Sequence, residues 1–271
     1  MATVRKPSQS THAKNRQYTL KLQQPDINDW KLQEKKLFRV VNLPPKFLLN
    51  GNVCVPPITN QGQEGSCTGH GTTGVYGYWY PKQFSGMSPI LFSPAFQYAM
   101  TRIAGGSFPI DSGCTVKDSV KTIAKVGALL ESMMPYSDTS AADKPTAAQI
   151  KASAVYKSKG YAAVNRDINS IKLTLLNGHP IIFGITIYNS FESPTVAKSG
   201  KVPVPKKGEK NLGGHCISMW GYDDSIKCPG SAGGAVLCRN SWGREWGLNG
   251  WFWLPYEFFT LGLASDLWTF L

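Results

Sequence analysis

Apolar positions follow two different patterns along this chain, with the change near residue 160. Before it, the stretch opening at Cys67 carries Val75, Tyr76, Tyr78, Trp79 and Tyr80 at helical spacing, and Gly71, Gly74 and Gly77 recur every three residues. Such a helix is predicted to be buried and central, with a bare stripe that another backbone can approach. Gly62 and Gly65 mark a tight loop ahead of it, and Ser66 is a good cap. A second helix is predicted from Ser93-Pro94 through Met100, with a cap and a proline in its first turn. A third runs from Asp118 to Val126, amphipathic and stopped by Gly127. From Tyr161 onward the apolar residues form short runs at 161–164, 181–187, 216–222, 235–239 and 251–254, separated by Gly, Pro, Asn and Asp. These read as strands of a sheet or partial barrel. Helices followed by strands, without an internal repeat, predict an α+β chain in two lobes: residues 51–150 mainly helical and residues 151–271 mainly strand.

Residues 1 to about 36 are polar, basic and weakly patterned, with only Pro25-Asp26-Ile27-Asn28-Asp29-Trp30 reading as an anchoring turn. Residues 37–49 surround Pro44-Pro45 and suit an extended edge laid across the body. Residues 1–50 are therefore an arm, either a packing strap or a masking propeptide.

Composition narrows the class. The 271 residues are 42% hydrophobic and 11% aromatic, enough for a real core in one large or two small domains. The formal charge of +12, from 29 basic and 17 acidic residues, predicts non-specific attraction to polyanions at low salt. The basic residues are dispersed apart from Lys35-Lys36 and the run from Lys198 to Lys210, and no nucleic-acid-reading motif accompanies them. No window is long and apolar enough to span a bilayer, and the first 36 residues lack the apolar core of a secretory signal. The expectation is a soluble, monomeric protein, cytoplasmic or, if viral, packaged in a particle. Six cysteines (Cys54, Cys67, Cys114, Cys216, Cys228, Cys238) become five once a nucleophile is set aside, without the spacing of a disulfide scaffold. Reduced thiols are expected.

Three stretches carry residue types that a core does not select. Asn60-Gln61-Gly62-Gln63-Glu64-Gly65-Ser66-Cys67 places a thiol in the first turn of a helix, where unpaired N–H groups and the macrodipole favour the thiolate. Gly213-Gly214-His215 sets a histidine beside two space-giving glycines at the start of a strand. Arg239-Asn240-Ser241-Trp242-Gly243-Arg244-Glu245-Trp246-Gly247 ends a strand on an asparagine. Together they supply nucleophile, base and orienting amide. A zinc site built on Cys67, His70, His215 and Cys216 is disfavoured, because adjacent strand residues point to opposite faces.

With these motifs in this order, the stretch from Val53 to Phe258 resembles the papain-like cysteine peptidases, in particular their compact branch in bacteria, archaea and large DNA viruses. The resemblance rests on Asn-Gln-Gly-x-x-Gly-Ser-Cys at 60–67, Gly-Gly-His at 213–215 and Arg-Asn-Ser-Trp-Gly-x-x-Trp-Gly at 239–247. It implies the papain-like two-lobed fold, a helical lobe with a nucleophile helix and an antiparallel β-barrel-like lobe. It implies endopeptidase action on protein or peptide substrates through a Cys67–His215 thiolate–imidazolium pair, with no metal and no organic cofactor. Asn240 would orient His215, Trp242 would shield that contact, and the Gln61 amide with the Cys67 N–H would form the oxyanion hole. Gly184, Gly213 and Cys216 align with positions that line the main specificity pocket. Three positions depart from the family. Glu64 stands where many members have a cysteine, leaving Cys114 without its usual partner; Thr68 replaces a tryptophan; and Thr115-Val116-Lys117 replace a Gly-Gly ledge. The alternatives are a thiol acyl-transfer enzyme such as a deubiquitinase or transamidase, and a catalytically idle basic scaffold.

Overall fold

The computed structural model describes residues 16–23, 26, 29–32, 42–49, 55–84 and 88–271. Expectations for Cys54, Lys35-Lys36, Pro25, Ile27, Asn28 and residues 37–41 fall outside them.

Helix α1 (Cys67–Lys82) is buried along nearly its whole length, as its glycines and aromatic residues predict. It packs against α2 (Pro94–Ala104) and α3 (Val116–Lys125) on one side, and against strands β3 (Ile181–Tyr188) and β4 (Asn211–Asp223) on the other. Only part of the glycine stripe meets backbone. A Cβ on Gly77 would collide with the carbonyl of Ile90, whereas Gly74 leaves room for the guanidinium of Arg239, 3.4 Å from where that Cβ would stand. The buried Arg239 then donates to the carbonyls of Pro56 and Pro57 at 2.8 and 2.5 Å, fixing the approach to the nucleophile loop.

Helix α2 starts as predicted, with Pro94 in its first turn and Ser93 Oγ accepting the Phe96 N–H at 3.0 Å. Helix α3 starts two residues before Asp118. Thr115 is the cap, accepting the Asp118 N–H at 3.0 Å, so Val116 and Lys117 are already helical. Gly127, at φ +107°, ends that segment.

The strand half forms one seven-stranded sheet. Its order is β2 (Tyr161–Ala163), β7 (Ala264–Phe270), β3, β4, β5 (Ala235–Arg239), β6 (Trp251–Pro255), and every neighbouring pair is antiparallel. The extended edge expected around Pro44-Pro45 is the short strand β1 (Lys46–Leu48). It pairs with the far end of β4, and Lys46 meets Asp223 at 3.1 Å. Strand β7 was invisible in the pattern. It contains Asp266 at φ +58°, and its register with β3 shifts between Ile182 and Gly184, so its side chains do not alternate cleanly. Trp220, Tyr76, Phe183 and Phe252 are fully buried in the shared core between α1 and the sheet. Removing one such aromatic side chain costs about 3–5 kcal/mol. Among the described residues, no helix is long and apolar enough to cross a membrane.

Candidate active site

The loop before α1 is held from several directions. Gln61 donates its backbone N–H to Ser241 O at 2.9 Å, and Ser241 Oγ donates to Gln61 Oε1 at 2.6 Å. The Gln61 amide nitrogen then gives one of its two hydrogens to Glu64 O at 2.9 Å, which leaves the second available. Tyr136 OH donates to Gln61 O at 2.8 Å and lies 2.7 Å from Ser66 Oγ, so the Ser66 hydroxyl is the donor in that second contact. Ser66 occupies the cap position of α1, yet its side chain makes no cap bond, because its backbone stands at φ −87° and ψ 17° and not in the extended region from which a side chain caps.

Glu64 and Cys114, the two positions where a disulfide is absent, are connected otherwise. Cys114 is a buried free thiol, and the carboxylate of nearby Asp111 accepts the Gly65 N–H at 3.0 Å. The Asp111 loop is itself pinned by buried Arg102, which donates to Ile110 O at 2.9 Å and stacks 3.8 Å above Tyr98. Burial, then the neighbouring Asp111, push the Glu64 carboxyl up to about 7.

Cys67 is the first residue of α1 and is fully buried. Burial pushes its thiol up to about 11, while the N–H groups of Cys216 and Thr68 at the sulfur pull the other way. Helix α1 packs on β4, the strand that carries His215. His215 is the fifth residue of β4, with Nε2 2.9 Å from Asn240 Oδ1. That oxygen also accepts the Ser241 N–H at 2.9 Å, so the amide is oriented oxygen-first and Nε2 of the histidine carries the proton. Nδ1 has no hydrogen-bond partner and retains a lone pair. Trp242 stacks on the imidazole at 5.0 Å between ring centres. Burial lowers the His215 pKa to about 4, with Asn240 opposing and Arg16 reinforcing the drop. Both groups are thus pressed toward their neutral forms, against the ion pair expected from the helix end.

The burial has a source that the sequence did not reveal: residues 16–22 of the arm lie in the cleft. Arg16 covers the Trp242 ring at 4.1 Å and pairs with Glu192 at 3.2 Å. Tyr18 meets the His215 and Trp242 rings edge-on at 6.2 and 6.3 Å. Leu20 donates its N–H to Gly214 O at 3.2 Å on one wall, and Lys21 donates to Cys114 O at 3.1 Å on the other. Gly213 and Gly184 leave the room. A Cβ on Gly213 would lie 2.6 Å from Tyr18 O, and one on Gly184 would lie 2.6 Å from Leu20 Cδ2. Cys216, opposite Gly184 in register, turns its sulfur toward α1, where a Cβ on Gly71 would sit 3.0 Å away. The arm is anchored further on, where Asp29 N–H bonds Asp26 O at 3.0 Å and Lys117 reaches Asp26 and Asp29 at 3.3 and 2.5 Å. Part of the predicted turn at 25–30 is therefore visible.

Among the described residues, no group of three or more His, Cys, Asp or Glu side chains could hold a metal ion. His70 turns instead to Thr59, with Nδ1 2.8 Å from the hydroxyl oxygen, and its ring meets Tyr136 edge-on.

The chain is similar to known proteins over most of its length. Residues 43–267 match the family model described as papain family cysteine protease. An uncharacterized peptidase C1-like protein of Acanthamoeba polyphaga mimivirus is 34% identical over 251 residues, covering 86% of this chain and 78% of that protein. Cathepsin B-like CP1 of Giardia intestinalis is 28% identical over 222 residues, covering 78% and 67% of the two chains. The crystal structure of xylellain, a cysteine protease from Xylella fastidiosa, superposes with a TM-score of 0.81 at 29% identity, covering 99% of this chain and 98% of that one.

Proposed function

From a chain that belongs to the papain family of cysteine proteases, we propose an endopeptidase whose nucleophile is Cys67, whose acid and base is His215, and whose amino-terminal arm controls access to both. The chain is a cysteine-type peptidase acting on protein or peptide substrates, with the α+β two-lobed fold of its family. The observation that carries the residue assignment is the meeting of α1 with one strand: Cys67, buried in the first turn of the helix that packs on β4, and on β4 His215, held by Asn240 through Nε2 with Nδ1 unpartnered.

The chemistry follows from those atoms. His215 Nδ1 takes the thiol proton as Cys67 Sγ attacks the peptide carbonyl carbon. The developing oxyanion is met by the Cys67 backbone N–H, which lies in the unpaired first turn of α1, and by the second hydrogen on Gln61 Nε2. His215 returns its proton to the departing amine, leaving a thioester on Cys67. Water then attacks the thioester while His215 accepts its proton, and the carboxylic acid product leaves with the thiol restored. Asn240 holds the ring in the required tautomer throughout, and Trp242 keeps water from their contact. Gly184 and Gly213 form the floor of the substrate groove, to which Cys216 contributes backbone.

Residues 1–50 form the arm, 51–150 the helical lobe with Cys67, and 151–271 the strand lobe with His215 and Asn240. What supports an inhibitory arm over a simple strap is its seat on both walls of the cleft, with Leu20 and Tyr18 filling the spaces beside Gly184 and Gly213. While seated it buries the reactive pair and keeps the proton on sulfur; when it leaves, water and substrate reach the pair and the thiolate–imidazolium form becomes accessible. The enzyme works as a monomer, in the cytoplasm or, if viral, packaged in a virus particle, and its charge of +12 adds only non-specific attraction to polyanions.

The test is hydrolysis of a mixed fluorogenic peptide library by the full-length chain, by Cys67→Ala, and by each without residues 1–23. Activity that disappears with Cys67→Ala and rises on truncation is the expected result. An active Cys67→Ala protein overturns the nucleophile assignment, and unchanged activity after truncation overturns the inhibitory arm.

A further inference from the structure

Beside Asn240 lies a small polar cell between α1, β4 and the loop after β5. Thr59, His70, Ser218, Arg239, Asn240 and Ser241 contribute to its wall, and its volume is about 10 Å³. That is close to the space one water molecule needs. Two of its lining residues are almost fully buried and each has a nitrogen without a protein partner, Nε2 of His70 and Nδ2 of Asn240. Leaving either orphaned costs about 1–3 kcal/mol, and buried polar atoms are paired in the large majority of cases.

We infer that one bound water in this cell joins His70 to Asn240, so that His70 acts as a positioning residue for His215. The inference rests on the peptidase reading above. Asn240 is already fixed oxygen-first by two donors, His215 Nε2 and Ser241 N, which leaves its Nδ2 hydrogens facing elsewhere. One of them donates to the water. His70 Nδ1 lies 2.8 Å from Thr59 Oγ1, and with Nδ1–H donated to that oxygen, Nε2 accepts a hydrogen from the same water. Ser218 Oγ, which already accepts from Trp220 Nε1 at 2.8 Å, has its own hydrogen to give. Three polar partners are the usual complement of a buried water.

The other groups around the cell favour this arrangement. Burial is the main force that disfavours a charge on His70, and Arg239, entering from β5, and then His215 reinforce it. The His70 ring is therefore neutral throughout the working range and offers its lone pair to the water. The chain His70, water, Asn240, His215 then fixes the imidazole by a route separate from the Trp242 stack. Residue types around Cys67 do not announce this role, because His70 reads from the sequence as a packed helix residue.

The test compares wild type, His70→Leu, His70→Gln, Asn240→Ala and the double variant His70→Leu/Asn240→Ala, all in the full-length chain. Each is assayed for peptide hydrolysis, for thermal melting, and for the pH profile of Cys67 alkylation by iodoacetamide. His70→Leu is expected to lower kcat about tenfold with KM within twofold, and to move the alkaline limb of the alkylation profile down, because a loosened Asn240 supports the imidazolium less. His70→Gln, whose amide can reach the water, is expected to restore most of kcat. In the Asn240→Ala background His70→Leu should add less than a twofold loss. A folded His70→Leu with wild-type kcat and an unmoved limb overturns the inference, as does a multiplicative loss in the double variant. If His70→Leu does not melt cooperatively, Thr59→Val replaces it with the same expectations and the same overturning results. If neither the full-length wild type nor the wild-type chain without residues 1–23 hydrolyses any peptide, the peptidase reading fails, and the alkaline limb in the variants still decides the coupling.

Discussion

Leu20 and Gly184 occupy one another's space: a single methyl on the glycine would lie 2.6 Å from the leucine Cδ2. The arm is therefore seated by a side chain entering a place where the enzyme has none. Leu20→Asp puts a charge into that buried seat and should raise peptide hydrolysis by the full-length chain several-fold. The same change in a chain without residues 1–23 cannot be made, so the truncated protein sets the ceiling. A Leu20→Asp protein no faster than wild type would show that the arm does not compete with substrate.

Arg16 is expected to matter for charge more than for space. It lies over Trp242 and lowers the His215 pKa, with burial as the larger cause. Arg16→Gln should raise the histidine pKa and speed Cys67 alkylation at neutral pH, by less than full truncation does. The readout is the pH profile of alkylation, in which the alkaline limb moves up.

Gln61→Ala removes a donor from the oxyanion site and should cost about 100- to 1000-fold in kcat with little change in KM. Ser241→Ala leaves the donor in place but frees Gln61 Oε1 from its 2.6 Å bond, so a smaller loss, of roughly tenfold, is expected. Steady-state kinetics on one fluorogenic peptide separates the two.

Glu64 gives the fold a pH dependence of definite sign. Its folded pKa of about 7 lies above the ordinary 4.5, so the native state holds the proton more tightly than the unfolded chain. Stability contributed this way is present at acid pH and is lost as pH rises from 4.5 through 7. Glu64→Gln should melt like wild type near pH 4 and be more stable by roughly 1–2 kcal/mol at pH 8, which thermal melts at the two values will show.

Much of the candidate site could be read in the sequence because its demands are local. A thiol at a helix start, a histidine after two glycines and an asparagine ending a strand are each legible in a few residues, and β5 coincides with its apolar run at 235–239. The helical register of α1 was equally plain. Ser66 was misjudged as a side-chain cap because its backbone stands at ψ 17°, away from the extended conformation that capping needs, and its hydroxyl goes to Tyr136, seventy residues away. Strand β7 escaped notice because Asp266 and the register shift spoil its alternation. The position of residues 16–22 could not be read, since Arg16, Tyr18 and Leu20 each meet a different partner far along the chain and sit where Gly184 and Gly213 have no side chain, and this leaves no periodic apolar pattern in the arm itself.

The contact between Asp111 and the Gly65 N–H has a practical consequence for handling the protein. A thiol enzyme must be kept under reductant so that its nucleophile is not oxidised, yet strong reductant attacks any sulfur bridge that shapes the nucleophile loop. Here the loop is fastened by a carboxylate and a peptide hydrogen, so dithiothreitol at concentrations that protect Cys67 leaves the fastening intact. One set of conditions preserves both the reagent and its mount.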